Sequence, residues 1–187
     1  MPRILGLLTI IVTLVAGCGA DPSRITMPSI EVAQSIRVNV RSVEVTQVSL
    51  PLYAEAEEIT VEAENGSLTA NKNLLWADDP KRAVTQALVA HLSDLTAVKV
   101  AAEPWPFDQY PDVRLVVRFD QFLAKSNGQF VISGQYYVAR VNSNIRETSE
   151  SFDLTSPYTI GDTVSLSSSQ AAVLRDLAVV IAANSLK

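Results

Sequence analysis

The segment 35–47 alternates between apolar and polar side chains, with one shift of phase near Ser42. A period of two is typical of a strand with one buried face, and a phase shift is compatible with a β-bulge. The sequence therefore predicts a first strand over 35–47. Its inward-facing positions would be Ile36, Val38, Val40, Val43 and Val45.

Turn signals separate the other strand-like segments. Residues 58–63 and 67–71 flank Asn65-Gly66, a dipeptide preferred in tight hairpin turns, so this pattern predicts a hairpin. Three longer segments follow in the second half of the chain, separated by turns at 127–128 and 142–144, and they predict an antiparallel meander. These segments are Val113–Leu123, Gln129–Val141 and Ile145–Leu154.

Two stretches repeat their apolar residues at helical spacing. The first begins at Asp79-Pro80, where Asp79 is a candidate cap and proline suits the first helical turn. The second is predicted over Ser168–Leu186, with Ser167 and Gln170 as a capping box. The apolar stripes are Val84, Leu88, Leu92 and Leu95 on the first helix, and Val173, Leu174, Leu177, Val180 and Ile181 on the second.

The order of these elements predicts the fold class. One strand, a hairpin, a helix, three strands and a final helix are typical of an α+β domain. We expect a mostly antiparallel sheet with the two helices packed on one side of it.

The N-terminus has the three-part layout of a secretory signal peptide: a positive charge at Arg3, an apolar run over 4–15, and small residues before Cys18. The run is too short to span a bilayer, which needs about 20 apolar residues. Val15-Ala16-Gly17-Cys18 matches the bacterial lipobox, so Cys18 is predicted to be lipidated and to anchor the mature protein in a membrane. The alternative is an ordinary signal peptide with an incidental cysteine.

The same region predicts the domain organisation. Residues 1–17 are expected to be removed as a signal peptide, 18–34 to form the lipidated N-terminus and a linker containing two prolines, and 35–187 to form one domain. Gly19 follows the cysteine where enteric lipoproteins retained in the inner membrane carry Asp. This predicts attachment to the periplasmic face of the outer membrane.

Composition and motifs limit the chemistry. The chain of 187 residues has a net charge of -5, which gives no basic footprint for nucleic acid, and its single cysteine excludes an internal disulfide. The lone histidine, His91, has no second histidine or cysteine at metal-binding spacing. Acidic pairs at 78–79 and 55–58 and the serines at 167–169 have no catalytic motif around them. We therefore predict no catalytic residues, no metal site and no cofactor.

Two proline-containing loops are the candidates for binding. The first contains Leu50, Leu52 and Tyr53; the second, "EPWPFDQYP" at 103–111, contains three aromatic residues between three prolines. Aromatic residues in such a loop either form a lid over the core or an exposed contact surface. The candidate partner-binding residues are Trp105, Phe107, Tyr110, Leu50, Leu52 and Tyr53, whereas Trp76 is assigned to the core.

The order of these segments resembles the PqiC/YmbA family of ABC-type transport auxiliary lipoproteins. After the lipobox come "LPLY" at 50–53, "ITV" at 59–61, "WAD" at 76–78, and an aliphatic strand led by Asp112 that continues through Phe119 and Phe122. The resemblance spans essentially the whole mature chain and rests on the order and spacing of short motifs. One departure is "AEAEE" after Tyr53, where members often carry an arginine.

The resemblance implies a non-catalytic auxiliary subunit. Members of the family accompany MCE-domain proteins, which form tubes or rings across the periplasm and conduct lipids between the membranes, and the lipoprotein is expected to dock the tube at the outer membrane. Two other functions stay open: a periplasmic lipid-binding carrier, which would need an apolar cavity of several hundred Å³, and a membrane-anchored hydrolase, which the residues disfavour. Assembly into a homo-oligomer is also left open.

Overall fold

Eight β-strands and two α-helices form in the residues that the structure, a computed structural model, describes: 21–30 and 34–187. In chain order they are β1 (Ser23–Ile25), β2 (Ser42–Val45), β3 (Glu58–Glu62), β4 (Leu68–Trp76), α1 (Pro80–Thr96), β5 (Lys99–Ala102), β6 (Val113–Ala124), β7 (Gln129–Arg140), β8 (Thr148–Pro157) and α2 (Thr163–Ser185). A short 3-10 turn, Leu52–Ala54, lies between β2 and β3.

β6 pairs with three other strands in a single sheet. Along one edge it pairs antiparallel with β7, and β7 pairs antiparallel with β8. Its other edge is shared by β2 at its start and β3 at its end, both parallel to it. The remaining strands complete the order β1-β4-β3-β6-β2-β5. The predicted α+β class with a mostly antiparallel sheet is confirmed, and the parallel pairs are an addition to it.

The helices pack against each other and against the sheet, α1 on β2 and β5 and α2 on β7 and β8. The predicted start of α1 is confirmed: the Asp79 carboxylate accepts a hydrogen bond from the Arg82 backbone N–H at 2.8 Å, and Pro80 occupies the first turn. The apolar stripe of α1 is fully buried, as predicted. Its members are Val84, Leu88, Leu92 and Leu95.

The start of α2 differs from the prediction. The helix begins at Thr163, and Asp162 is its cap, accepting hydrogen bonds from the backbone N–H groups of Val164 and Ser165. Ser167 lies inside the first turns, where its hydroxyl donates to the Val164 carbonyl at 3.0 Å. The predicted capping box of Ser167 and Gln170 is therefore wrong, because a stronger acidic cap lies five residues earlier.

The predicted strand over 35–47 is wrong over most of its length. Only β2 is a strand, and all four of its residues are buried because it lies between β5 and β6. The preceding residues cross the C-terminal ends of both helices: the Ile36 N–H donates to the Leu95 carbonyl and the Asn39 N–H to the Leu186 carbonyl, each at 2.7 Å. The alternation in this segment reflects contacts with helix ends.

β1 and β5 are short parallel strands that the sequence pattern did not indicate. β1 lies within the segment 18–34 and pairs with β4, with Ser23 opposite Leu74 and Ile25 opposite Trp76. β5 pairs with β2 at the other edge of the sheet. The hairpin at Asn65-Gly66 is confirmed as β3–β4, and the Asn65 side-chain oxygen accepts from the Ser67 N–H at 3.0 Å.

By length and composition α2 could cross a membrane, since its most apolar window has a mean hydropathy of 1.3. However, 61% of that window is buried inside the protein. A mostly buried helix with this composition is typical of the core of a folded domain.

The sheet gives the molecule two distinct ends. The start of β6 lies beside the starts of β2 and β5 and the end of β7, whereas the finish of β6 lies beside the end of β3 and the start of β7. A strand of 12 residues spans roughly 36 Å, so the two ends are well separated. We call them the β6-start end and the β6-finish end.

Candidate functional site

The loop 103–111, called here the aromatic loop, connects β5 to β6 and has its own internal structure. The Trp105 indole N–H donates to the Gln109 carbonyl at 2.6 Å, which closes the loop on itself. The Trp105 and Phe107 rings meet edge to face with centroids 5.0 Å apart, and the Lys99 ammonium lies 5.4 Å from the Phe107 centroid. Two aromatic rings and a cation thus form one cluster at the edge of the sheet.

The aromatic loop lies outside the core. Phe107 is 46% exposed and Tyr110 is 77% exposed, while Trp105 is half-buried. Among the described residues, the apolar core and the side chains packed on it do not include these three. The loop therefore presents two aromatic side chains to solvent beside a half-buried tryptophan and does not form a lid over the core.

A cleft of about 620 Å³ lies at the base of the loop, at the β6-start end. Its floor is held by Asp112, whose carboxylate accepts from the Arg41 backbone N–H at 2.8 Å and pairs with the Arg41 guanidinium at 3.3 Å. The Asp112 N–H donates to the Ser42 hydroxyl at 2.9 Å. The Asp112 carbonyl accepts from Val141 and Asn142. These bonds fix the return of the loop into β6.

The residues of the other candidate loop, Leu50, Leu52 and Tyr53, lie in different environments. Leu50 is buried in the core, at 5% exposure. Tyr53 is half-buried, and its hydroxyl accepts from the Phe122 N–H at 3.2 Å near the finish of β6. Leu52, at 85% exposure, is the one residue of the three with a free side chain. Since the aromatic loop lies at the β6-start end, the structure does not bring the two groups together.

The polar groups considered for catalysis are engaged in structural contacts. Asp78 pairs with Arg82 at 2.7 Å, which lowers the pKa of its carboxyl, and Glu55 pairs with Lys81 at 2.9 Å. The Ser169 hydroxyl donates to the Ser156 carbonyl at 2.8 Å. Residues 21–30 and 34–187 contain no group of three His, Cys, Asp or Glu side chains that could hold a metal ion.

His91 is buried, with 4% exposure, on the face of α1 that meets α2. Burial lowers the pKa of its imidazole, and the nearby Asp94 carboxylate partly opposes this shift. A buried neutral histidine against a helix is a packing residue. The predicted lipidation residue, Cys18, lies outside the described residues.

Sequence reasoning missed the Arg41–Asp112 pair, whose members are 71 positions apart. It also missed a second cavity of about 330 Å³ at the β6-finish end, between β3, β4 and the start of α2. Neither feature has a local signal, because each depends on strands that meet only in the folded sheet.

Comparison with known proteins identifies related sequences and folds. The sequence model of a family described as "ABC-type transport auxiliary lipoprotein component" matches residues 25–182. A solved structure of an uncharacterized protein is 21% identical with a TM-score of 0.69, and the alignment covers 87% of this chain and 97% of that one. Protein XCC0632 from Xanthomonas campestris is 17% identical with a TM-score of 0.63, covering 87% and 90% of the two chains.

These two solved structures share the fold of this chain. A third, a dodecamer of a PelC variant from Paraburkholderia phytofirmans, is 15% identical with a TM-score of 0.43, covering 78% of this chain and 94% of that one. Its similarity is too low to support an argument. No curated protein matches the chain.

Proposed function

Because the chain belongs to the family of ABC-type transport auxiliary lipoprotein components, we propose that it is a non-catalytic subunit of an MCE-type lipid transport system. In this proposal Cys18 is acylated and holds the protein on the periplasmic face of the outer membrane. The folded domain docks the periplasmic MCE-domain protein and so supports the integrity of the outer membrane.

The aromatic loop is the observation that carries this proposal. It presents Phe107 and Tyr110 to solvent beside Trp105, and three prolines restrict its backbone. A restricted loop loses less conformational entropy on binding, and Trp and Tyr are the residues most enriched among interface hot spots. A loop built in this way suits a protein partner better than a small substrate.

A lipid-binding carrier is the second candidate function, favoured by the 330 Å³ cavity at the β6-finish end. Its apolar wall includes Val61, Leu74 and Leu166. The cavity is at the lower limit of the size that ligand pockets usually have. Lipid analysis of the purified protein separates the two: a carrier should retain stoichiometric phospholipid beyond the acyl chains on Cys18, and a docking subunit should not.

The proposed partner can be identified by affinity purification of the full-length protein from a detergent extract. We expect an MCE-domain protein among the captured proteins. Its absence, with the bait intact and acylated, would argue against the assignment to this transport system.

The contact surface can be tested on the same complex with Trp105→Ala. We expect the dissociation constant to rise by about thirtyfold, which corresponds to about 2 kcal/mol, the usual hot-spot threshold. The melting temperature should hardly change, because Trp105 contacts Phe107 and Gln109 and not the core. The matched control is Leu52→Ala, an exposed apolar residue outside the loop. Weaker binding in Leu52→Ala alone would transfer the contact to the turn at 52–54.

Lipidation is tested with an alkyne fatty acid. The wild-type protein should incorporate the label and the Cys18→Ala variant should not. Label retained in the variant would overturn the assignment of the anchor to Cys18.

A further inference from the structure

Three turns meet at the β6-finish end. They are the β3–β4 turn at 63–67, the β6–β7 turn at 125–128 and the loop 158–162 between β8 and α2. The Lys125 ammonium at the end of β6 donates to the Glu62 carboxylate at 2.7 Å, which joins the first two turns. Tyr158 joins the last two, because its N–H donates to the Gly128 carbonyl and its hydroxyl to the Lys125 carbonyl, both at 2.8 Å. The three turns therefore form one connected surface.

This surface exposes large aliphatic side chains. Leu68 at the start of β4 is 45% exposed, Ile160 in the loop before α2 is 65% exposed, and Val164 in the first turn of α2 is 72% exposed. The cavity of about 330 Å³ opens between the β3–β4 turn and the loop that carries Ile160. Exposed aliphatic residues around an apolar cavity are typical of a contact surface.

Several of the charged groups of the surface are engaged within the protein, whereas Glu64 in the β3–β4 turn is exposed and forms no ion pair with the described residues. Lys125 and Glu62 pair with each other, and Asp162 caps the N-terminus of α2. Because Lys125 is paired with Glu62, the described residues of this surface offer no cluster of free cations for anionic lipid headgroups, and a contact with the bilayer would depend on the exposed aliphatic side chains.

The direction of β1 relates the N-terminal segment to this same end. β1 runs parallel to β4, with Ser23 opposite Leu74, so the residues before Ser23 enter from the side where β4 begins at Leu68. Cys18 precedes Ser23 by five residues. Even a fully extended chain of five residues spans only about 17 Å. An acyl anchor on Cys18 therefore lies within about 17 Å of Ser23, which is opposite Leu74, six residues after the start of β4.

We propose that the β6-finish end is a membrane-contact surface, with Leu68, Ile160 and Val164 in the interface of the bilayer that holds the acyl chains of Cys18. The proposal rests on the lipidation that forms part of the proposed function. Aliphatic side chains at an interface add to the affinity of acyl chains, and together they fix how the domain is oriented. The aromatic loop then projects away from the bilayer by roughly the length of β6.

The experiment uses the fact that Cys18 is the only cysteine of the chain. Once Cys18 is acylated, its sulfur is blocked, so a cysteine introduced elsewhere is the single free thiol. Val164→Cys and Tyr110→Cys form a matched pair, because the native residues are 72% and 77% exposed and lie at opposite ends. Each full-length protein is labelled with a thiol-reactive fluorophore and inserted in vesicles of phosphatidylethanolamine and phosphatidylglycerol that contain nitroxide-labelled lipid.

We expect the label at 164 to lose fluorescence in the nitroxide vesicles and the label at 110 to keep it. Iodide in the aqueous phase should quench the label at 110 more strongly than the label at 164. A label at 164 that iodide quenches and nitroxide lipid does not would overturn the proposal. A label at 164 shielded from both quenchers would also overturn it, because that result means that a protein, such as a second copy, covers the surface.

Two controls keep the result interpretable. Mass spectrometry of each protein first verifies the acyl chains, so that a failure of lipidation, and hence of the proposed function, is distinguished from a failure of the contact. Ile160→Cys provides a second position on the same surface. It should follow the label at 164, and a label at 160 that behaves like the one at 110 would contradict the proposal.

Discussion

At the scale of single residues, His91 makes the stability of the protein depend on pH. Burial holds its pKa below the ordinary value of 6.5, against the opposing effect of Asp94 and Asp176 and with the support of Arg175. Below pH 6.5 the unfolded chain therefore binds more protons than the folded chain. As the pH decreases further, the free energy of unfolding decreases until the pH is below the pKa of His91 in the folded state. The His91→Gln variant should lack the loss of stability that protonation of His91 causes at low pH. Thermal melts at pH 7.5 and 5.5 measure it, and an equal loss in both proteins would contradict the buried neutral state.

Gly134 in β7 is a position where no side chain fits. A Cβ atom there would lie 2.0 Å from the Arg118 carbonyl oxygen and 2.9 Å from the Phe119 Cα, at the irregular step between β6 and β7. Since both contacts are with backbone, the strands must separate, and Gly134→Ala should lose about 3 kcal/mol of stability. Gly66→Ala is the control: its Cβ meets nothing within 4 Å, and its φ of +79° costs about 1 kcal/mol. Urea unfolding of both variants checks the difference, and equal losses would mean that the sheet adapts at Gly134.

The exposure of Trp105, Phe107 and Tyr110 agrees with one of the two arrangements that their proline-rich loop predicts. The orientation of Leu50 and Tyr53 could not be predicted, because a loop has no fixed period to tell which side chain points inward. Tyr53 turns inward since its hydroxyl reaches the Phe122 N–H, a group 69 positions away.

At the scale of elements, the start of α2 gives a direct test of the corrected boundary. The Asp162 carboxylate accepts from Val164 at 2.9 Å and from Ser165 at 3.1 Å, so Asp162→Ala should lower the free energy of unfolding by about 1 kcal/mol. Ser167→Ala should have a smaller effect, because its hydroxyl donates to the Val164 carbonyl and caps no N–H group. Chemical denaturation compares the two variants. A larger loss in Ser167→Ala would favour the start predicted from the sequence.

Elements with a complete local signal could be predicted, whereas short buried strands could not. Asn65-Gly66 specifies its hairpin, and Asp79-Pro80 specifies the start of α1. β2 and β5 have four residues each and lie in parallel pairs. β2 lies within the predicted strand over 35–47, but the same alternation occurs at 36–40, where no strand forms, so the pattern could not give the limits of β2.

At the scale of the whole molecule, the direction of the chain gives the two ends different surroundings. After β1 the chain passes along α1 and reaches the β6-start end, where the Ile36 N–H bonds to the end of α1 and the Asn39 N–H to the Leu186 carbonyl after α2. The N-terminal segment thus connects the end near the proposed anchor with the end that carries the aromatic loop. Within the region 18–34, the described residues 21–30 are part of the fold.

Truncation measures how much this segment contributes. Ile25 and Met27 pack against the core, and the Arg24 guanidinium donates to the Trp76 carbonyl at 3.0 Å. The chain 35–187 should still fold cooperatively, because the core from β2 to α2 is retained. Relative to 21–187 it should lose about 2 kcal/mol, since two half-buried aliphatic side chains are removed, and its melting temperature should fall by about 6 °C. Differential scanning calorimetry of the two chains measures this. Equal melting temperatures would mean that β1 adds no stability, and a non-cooperative trace of 35–187 would place the start of the domain before residue 35.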